Sequence, residues 1–175
     1  MCLKKSVFGW QIAGFLFTSV AGTLLHFLYD WTGENPLAGL FSAVNESIWE
    51  HMKLIYFPML LFSLVQRKYS DDSSFWCIKL AGILTALILI PVLYYTYTGA
   101  LGISADWFNI AIFFLAAGTA YYLETGLFQR MIFFPVKPGI ALGALLLIGV
   151  LFGFFTFYPL PIPLFADPRT GTFGI

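Results

Sequence analysis

The sequence predicts an all-α protein, an integral membrane bundle of five transmembrane helices with an extended C-terminal tail. Of its 175 residues, 59% are hydrophobic and only 10% are charged, whereas soluble domains average about 25% charged residues. A helix needs about 20 residues to cross ~30 Å of hydrocarbon, and apolar stretches of that length recur along the chain. We therefore treat residues 1–175 as a single membrane domain.

Charged and turn-forming residues separate the predicted spans. Pro58 and Pro91 fall inside two of them and should kink those helices, because proline removes a backbone hydrogen bond. A short apolar piece, residues 37–41, follows a turn and predicts an interfacial or re-entrant turn of helix. Prolines at 159, 161, 163 and 168 make the tail too broken for a helix. The predicted spans are residues 6–29, 46–66, 75–97, 106–123 and 139–158, followed by the tail, residues 159–175.

The positions of lysine and arginine predict the orientation. Most of these residues fall on one side of a five-span arrangement, and Arg169 alone lies in the opposite loops. The positive-inside rule then places the N-terminus in the cytoplasm and the tail outside, in a multi-pass protein of the cell (cytoplasmic) membrane. The basic residues on the cytoplasmic side are Lys4, Lys5, Arg67, Lys68, Lys79, Arg130 and Lys137.

The composition also limits the partners. The formal net charge is zero, which argues against a nucleic-acid surface, and the lipid bilayer is the expected surrounding. Cys2 and Cys77 provide no disulfide framework. Two G-x-x-x-G pairs in the last span, Gly139 with Gly143 and Gly149 with Gly153, are expected to pack inside the bundle. The oligomeric state and a membrane protein partner stay open.

A polar heptapeptide, residues 45–51, is the most informative segment. The apolar run that follows it, residues 54–65, is too short to cross a bilayer alone, so the second span should begin near Glu46. That choice puts Glu50, His51 and Lys53 within the membrane boundary. Ionisable groups are costly there and are candidates for function.

Helical periodicity predicts that the first two spans share one polar site. Ser19, Thr23, His26 and Asp30 fall on one face of the first span, and Glu46, Glu50 and Lys53 on one face of the second. Spans joined by a short connection should be antiparallel neighbours, so these faces can meet. Two imidazoles with carboxylates suit zinc or a similar divalent metal. We predict the metal ligands His26, His51 and Glu46, the catalytic base Glu50, and the further polar site residues Asp30, Asn45, Lys53, Asp167 and Arg169.

A structural interpretation of the same residues stays open. Ser47 and Glu50 fit a capping box, and Asn45 is a good N-cap residue. Glu50 with Lys53, and His26 with Asp30, could form local pairs. At the other side of the membrane, we expect Glu124 to reach the interface or to pair with Arg130. The tail could fold back as a lid that brings Asp167 or Arg169 to the site.

Several of these residues resemble a family of small bacterial polytopic membrane proteins of unknown function. The resemblance rests on His26, Trp31, the motif N-E-S-x-W-E-H at residues 45–51, and the tail pattern P-L-F-x-D-P-x-T-G from Pro163 to Gly171, and it covers nearly the whole chain. It implies a bacterial inner-membrane protein and no particular activity. A looser similarity to membrane zinc hydrolases of the ceramidase and adiponectin-receptor type fails on their seven spans and H-x-x-x-H motif.

Two functional hypotheses follow. The first is a metal-dependent membrane hydrolase that acts on a lipid-type substrate. The second is a non-enzymatic transporter, channel or accessory subunit that uses the carboxylates as an ion or proton site. A purely structural partner protein is a third outcome, if the polar cluster is closed and fully paired.

Overall fold

The computed structural model describes residues 2–130 and 134–175, with side chains described from residue 7 onward in those ranges. The described part of the chain contains six helices, in order α1 (Cys2–Trp31), α2 (Pro36–Gly39), α3 (Ile48–Arg67), α4 (Phe75–Leu101), α5 (Asp106–Arg130) and α6 (Pro138–Phe157). Within these ranges the β structure is one isolated antiparallel bridge, Ala166 with Phe173. The predicted all-α class is confirmed.

Five of the helices in the described residues are long and apolar enough to cross a membrane, so the chain is a multi-pass membrane protein. The qualifying segments are Val7–Trp31, Ile48–Arg67, Phe75–Leu101, Asp106–Arg130 and Pro138–Phe157. α2 is a single turn whose N-cap Asn35 accepts a hydrogen bond from the backbone N–H of Leu37. It occupies the connection where a turn of helix was expected.

The start of α3 differs from the sequence expectation in an important way. The helix begins at Ile48, with Ser47 as its N-cap, and the Ser47 hydroxyl accepts a hydrogen bond from the backbone N–H of Glu50. The side chain of Asn45 accepts a hydrogen bond from the backbone N–H of Ser47. Glu46 therefore precedes the helix, and helical periodicity does not fix the direction of its side chain.

α3 lies at the centre of the bundle. Its fully buried residues Ile55, Tyr56 and Met59 pack in one core with residues of α4, α5 and α6. The Tyr56 hydroxyl donates to the backbone carbonyl of Leu145 in α6. α1 approaches closely at Gly22, where an added Cβ would lie 2.5 Å from the backbone oxygen of Leu54.

The two G-x-x-x-G pairs of α6 differ in how closely other residues pack against them. A Cβ added to Gly149 would lie 2.9 Å from the Tyr56 hydroxyl oxygen, and one added to Gly153 would lie 3.1 Å from Leu40. This pair packs inside the bundle as expected. Around Gly139 and Gly143 nothing described lies within 4 Å of such a Cβ. The expectation of bundle packing is wrong for that pair, because both glycines lie on a side of α6 that no described residue covers, whereas Ala141 between them is buried.

The ends of α1, α4 and α6 and the starts of α3 and α5 lie at one end of the bundle, which we call the site end. The tail, residues 159–175, turns back across it. The backbone N–H of Ile175 donates to the carbonyl of Thr156, and the Asn45 amide donates to the carbonyl of Gly174. The tail is thus fastened to both α6 and the segment before α3.

Candidate functional site

The three predicted metal ligands meet at the site end. His26 of α1, Glu46 before α3 and His51 of α3 each offer a ligand atom, and these atoms all lie within 4.8 Å of one another. The His51 Nε2 atom lies 3.5 Å from Glu46 Oε2, and the His26 Nε2 atom lies 3.9 Å from Glu46 Oε1. The two imidazole rings have centroids 5.4 Å apart. We call these residues the His–Glu–His cluster.

The His51 ring is held in a fixed orientation. Its Nδ1 atom lies 2.9 Å from the backbone oxygen of Ser47, and a carbonyl oxygen can only accept a hydrogen bond. The proton of a neutral ring is therefore assigned to Nδ1, which leaves the lone pair of Nε2 directed toward Glu46. This arrangement, with one ring nitrogen donating to a carbonyl, is typical of histidines that bind metals.

The tail supplies a cation and a carboxylate next to the cluster. Arg169 Nη1 lies 4.0 Å from Glu46 Oε1, and Arg169 Nη2 donates to Asp106 Oδ1 at 3.0 Å. The hydrogen bond to Asp106, together with the charges of Glu46 and Asp106, raises the pKa of Arg169 above its ordinary value. The guanidinium therefore stays charged while it bridges the tail, the cluster and the start of α5.

Asp167 fixes the turn that presents Arg169. Its carboxylate accepts from the backbone N–H groups of Glu46 at 3.2 Å, Arg169 at 2.7 Å and Thr170 at 3.2 Å. Burial alone would raise the pKa of Asp167, but these hydrogen bonds and the charge of Arg169 outweigh it and lower the pKa below its ordinary value. Asp167 is thus a structural link between the tail and Glu46.

A cleft of about 280 Å³ opens beside the cluster. Its polar lining residues include Glu46 and His51 together with residues that the sequence analysis did not assign to the site. Its apolar lining residues include Ile90, Ile112 and Phe113. Asp106 begins α5 and Asn109 lies one turn later on the same face, a spacing that could have indicated them. The unassigned polar residues of the cleft are Ser104, Asp106 and Asn109.

Glu50 and Lys53 lie elsewhere, in a closed network. Lys53 Nζ lies 2.5 Å from Glu50 Oε2, and their side chains are 0% and 2% exposed. Lys53 also donates to the backbone oxygen of Gly39 at 2.7 Å and to the Thr156 hydroxyl at 2.9 Å. Glu50 accepts further hydrogen bonds from the backbone N–H of Val44 and the Thr156 hydroxyl. Neither residue lines the cleft.

Two other predicted site residues lie at the edge of this arrangement. Asp30 is exposed beyond the end of the cluster, and among the described residues it forms no ion pair with His26, whose Nε2 faces Glu46. The suggested His26–Asp30 pair is therefore wrong. Asn45 joins the α3 cap to the tail through its two hydrogen bonds, and its side chain does not line the cleft.

Comparison with protein families gives a match over nearly the whole chain. The model of a family of unknown function, DUF6512, matches residues 3–175. The chain belongs to this family. No curated protein and no solved structure shows significant similarity to the chain. The family assignment agrees with the resemblance seen in the sequence, and the site of this DUF6512 member has to be interpreted from its own geometry.

A second buried polar group of this DUF6512 member lies at the opposite end of the bundle. Lys79 of α4 and Glu124 of α5 form an ion pair with 2.6 Å between Nζ and Oε2, and they are 1% and 0% exposed. The Lys79 ammonium also lies 5.6 Å from the centre of the Tyr121 ring. The expectation that Glu124 reaches the interface or pairs with Arg130 is wrong. Because its charge is paired inside the protein, Glu124 does not end the span, and α5 continues to Arg130.

Proposed function

We propose that this protein is a membrane-embedded metal-dependent hydrolase in which His26, Glu46 and His51 bind a divalent cation such as zinc. The observation that carries the proposal is the convergence of two imidazole nitrogens and a carboxylate within 4.8 Å, beside an open cleft. These residues come from α1, the segment before α3, and α3. Their convergence therefore depends on the tertiary fold.

The distances suit a small adjustment toward metal coordination. Zinc binds nitrogen and oxygen ligands at about 2.1 Å, so two ligands of a tetrahedral site lie roughly 3.4 Å apart. The cluster's nitrogen–oxygen separations are 3.5 and 3.9 Å. Two histidines and one carboxylate, with a fourth position open, form a ligand set of catalytic zinc sites, whereas structural sites have four protein ligands.

The cleft residues suit hydrolysis. A zinc ion held by His26, Glu46 and His51 would lower the pKa of a bound water to about 7 and so supply a nucleophile at neutral pH. Asp106 is a carboxylate that lines the cleft without belonging to the ligand set, and we assign it the role of general base. Arg169 lies beside it and can stabilise negative charge that develops on the substrate. Glu50 lies outside this reaction because its oxygens are occupied in the buried network.

The surroundings of the cleft favour a lipid-type substrate. The cleft lies at the ends of membrane-spanning helices, and its lining includes apolar side chains. The basic residues at the opposite end, among them Arg67, Lys68 and Lys137, lead us to propose that the opposite end is cytoplasmic and that the site end and tail lie outside the cell membrane. A substrate would then enter from the outer leaflet.

The alternative function is an ion or proton site without hydrolysis. It is favoured by the buried Lys79–Glu124 pair, because ionisable residues inside the membrane often belong to ion or proton pathways. Glu124 Oε1 and both amide atoms of Gln11 are buried without a hydrogen-bond partner among the described residues. A relay of this kind requires no stoichiometric metal at the site end.

The test is a hydrolysis assay with protein purified without a histidine tag. The zinc-loaded protein in nanodiscs of phosphatidylethanolamine and phosphatidylglycerol should release a head group or a fatty acid, detected by mass spectrometry. Chelation should stop the release, zinc should restore it, and His51→Ala should abolish it. Tyr122→Phe, an exposed change on α5 outside the cleft, is the control. Release that survives chelation, or none from zinc-loaded protein, contradicts the proposal for these lipids.

A further inference from the structure

The cleft beside the His–Glu–His cluster adjoins a second cavity. This second cavity, which we call the tail groove, has a volume of about 470 Å³ and lies between α4 and the tail. Ile48, Tyr94 and Pro168 line both cavities. The two volumes therefore share a wall, and together they extend from the cluster along α4. The remaining residues of the tail groove are Tyr95, Thr98, Pro161, Ile162, Pro163, Ala166 and Phe173.

The tail groove has the chemistry of an alkyl-chain site. Proline, isoleucine, alanine and aromatic side chains dominate its lining. The hydroxyl of Thr98 donates to the backbone oxygen of Tyr94 at 2.8 Å, so this donor is already satisfied. Ile162 and Phe173 remain 45% and 40% exposed. An apolar occupant would cover these two side chains.

The cleft, unlike the apolar tail groove, selects a ligand by its charge. Its charged residues are Glu46, Asp106 and Arg169. Two carboxylates and one guanidinium leave a negative balance, which a divalent cation at the cluster would reverse to a positive one. A loaded site would then attract an anionic group, which Arg169 can bind through its guanidinium.

We propose that the cleft and the tail groove form one site for an anionic single-chain amphiphile, with its charged head group at the His–Glu–His cluster and its alkyl chain in the tail groove. The head-group half rests on the proposed metal function. The chain half rests on the shared wall and the apolar lining. A phosphate and a carboxylate head group share the required chemistry, and the experiment separates them.

The experiment measures binding by isothermal titration in a non-ionic detergent. The probes are lauroyl lysophosphatidic acid, laurate, glycerol phosphate and the neutral monolaurin. Zinc-loaded protein should bind lauroyl lysophosphatidic acid at least about 10-fold more tightly than glycerol phosphate, which lacks the chain, or monolaurin, which lacks the charge. Binding of laurate with similar affinity would identify the negative charge as the determinant, and binding of the lysophospholipid alone would identify the phosphate.

Matched variants test the tail groove. Thr98→Trp fills it, and we expect the affinity for lauroyl lysophosphatidic acid to fall at least about 10-fold while zinc binding is unchanged. Thr96→Trp is the control, because Thr96 is an exposed residue of the same helix with the same hydroxyl bond to the fourth residue before it and does not line the groove. Ile162→Asp, which places a charge in the groove from the tail side, repeats the test should Thr98→Trp misfold.

The two halves of the proposal fail separately. If Thr98→Trp and Ile162→Asp bind the amphiphile as the unmodified protein does, the chain does not lie in the tail groove and the inference is overturned. Equal binding of monolaurin overturns the anionic head group. If the protein binds no zinc, the proposed function fails. A comparison of laurate affinity between Thr98→Trp and Thr96→Trp then still tests whether the alkyl chain lies in the tail groove.

Discussion

The carboxylate of Asp167 accepts a hydrogen bond from the backbone N–H of Glu46, with 3.2 Å between nitrogen and Oδ2. This bond joins the tail to the proposed metal ligand across 121 residues of sequence. The other carboxylate oxygen of Asp167 accepts hydrogen bonds from the backbone N–H groups of Arg169 and Thr170. One buried carboxylate thus sets the position of both Glu46 and Arg169.

The first prediction concerns Asp167→Asn. An amide offers one acceptor oxygen in place of two, so the variant should lose either the bond to Glu46 or the bonds that shape the tail turn. We expect zinc affinity to fall roughly 10-fold, the lower range for residues that support metal ligands, as measured by competition with a chelating dye. Asp30→Asn, an exposed change outside the cluster, should have no effect. Equal affinities for both variants would contradict the role of Asp167.

The second prediction is a pH dependence of tail docking. The pKa of Asp167 is lowered from its ordinary value of 3.8, so the folded state favours the ionised form. Its contribution to stability is fully present above 3.8 and is lost as the pH falls through the lowered folded-state value. In metal-free protein, the distance between spin labels at Thr172 and Leu101 should stay constant from neutral pH down to that region and broaden below it. Broadening near neutral pH would show that another group controls docking.

The third prediction separates Glu50 from the chemistry. Glu50→Gln should destabilise the protein, because it leaves Lys53 as a buried charge without a carboxylate, and breaking such a pair typically costs about 3–5 kcal/mol. The double variant Glu50→Gln with Lys53→Met should recover part of this loss and should bind zinc. Thermal unfolding in detergent and metal analysis provide the measurements. A Glu50→Gln protein as stable as the parent but without hydrolytic activity would return Glu50 to the role of base.

The helix start explains which parts of the site could be predicted from sequence. His26 and His51 lie inside helices joined by a short connection, so their periodicity was sufficient to suggest facing positions. Glu46 precedes Ile48, the first residue of α3, so it does not share the helix face of Glu50 and Lys53 as the periodicity predicted. Glu50 pairs with Lys53, as their spacing of three residues suggested, and also accepts a hydrogen bond from Thr156, a threonine in an otherwise apolar stretch of α6. The contact with Thr156 depends on tertiary packing and has no local sequence signal.

The Lys79–Glu124 ion pair at the opposite end of the bundle could not be predicted from the sequence for the same reason. The apolar stretches predicted five membrane helices because hydrophobicity is a property of each segment alone. The partner of Glu124 could not be predicted in this way, because Lys79 lies 45 residues earlier and meets it only where α4 and α5 pack. The exposed Arg130 was closer in sequence but lies outside that packed interface.

The fourth prediction tests this packing with two glycines of α4. A Cβ at Gly82 would lie 2.6 Å from Glu124 Cγ, whereas nothing described lies within 4 Å of one at Gly99. Gly82→Ala should therefore destabilise the protein by about 1–3 kcal/mol, the usual cost of overpacking. Gly99→Ala should be neutral or stabilising, because alanine favours helices by up to about 1 kcal/mol over glycine. Thermal unfolding measures the stability of both variants. Equal stabilities would contradict the described packing of α4 against α5.

The final prediction tests the central claim, that His26, Glu46 and His51 form a metal site. Protein purified without a histidine tag, stripped of metal and dialysed against zinc should contain one zinc per chain by elemental mass spectrometry. His26→Ala and His51→Ala should each lose it, Glu46→Gln should bind it more weakly, and Asn109→Ala, a cleft residue without ligand chemistry in the cluster, should keep it. Zinc absent from the unmodified protein, or retained by both histidine variants, would contradict the account.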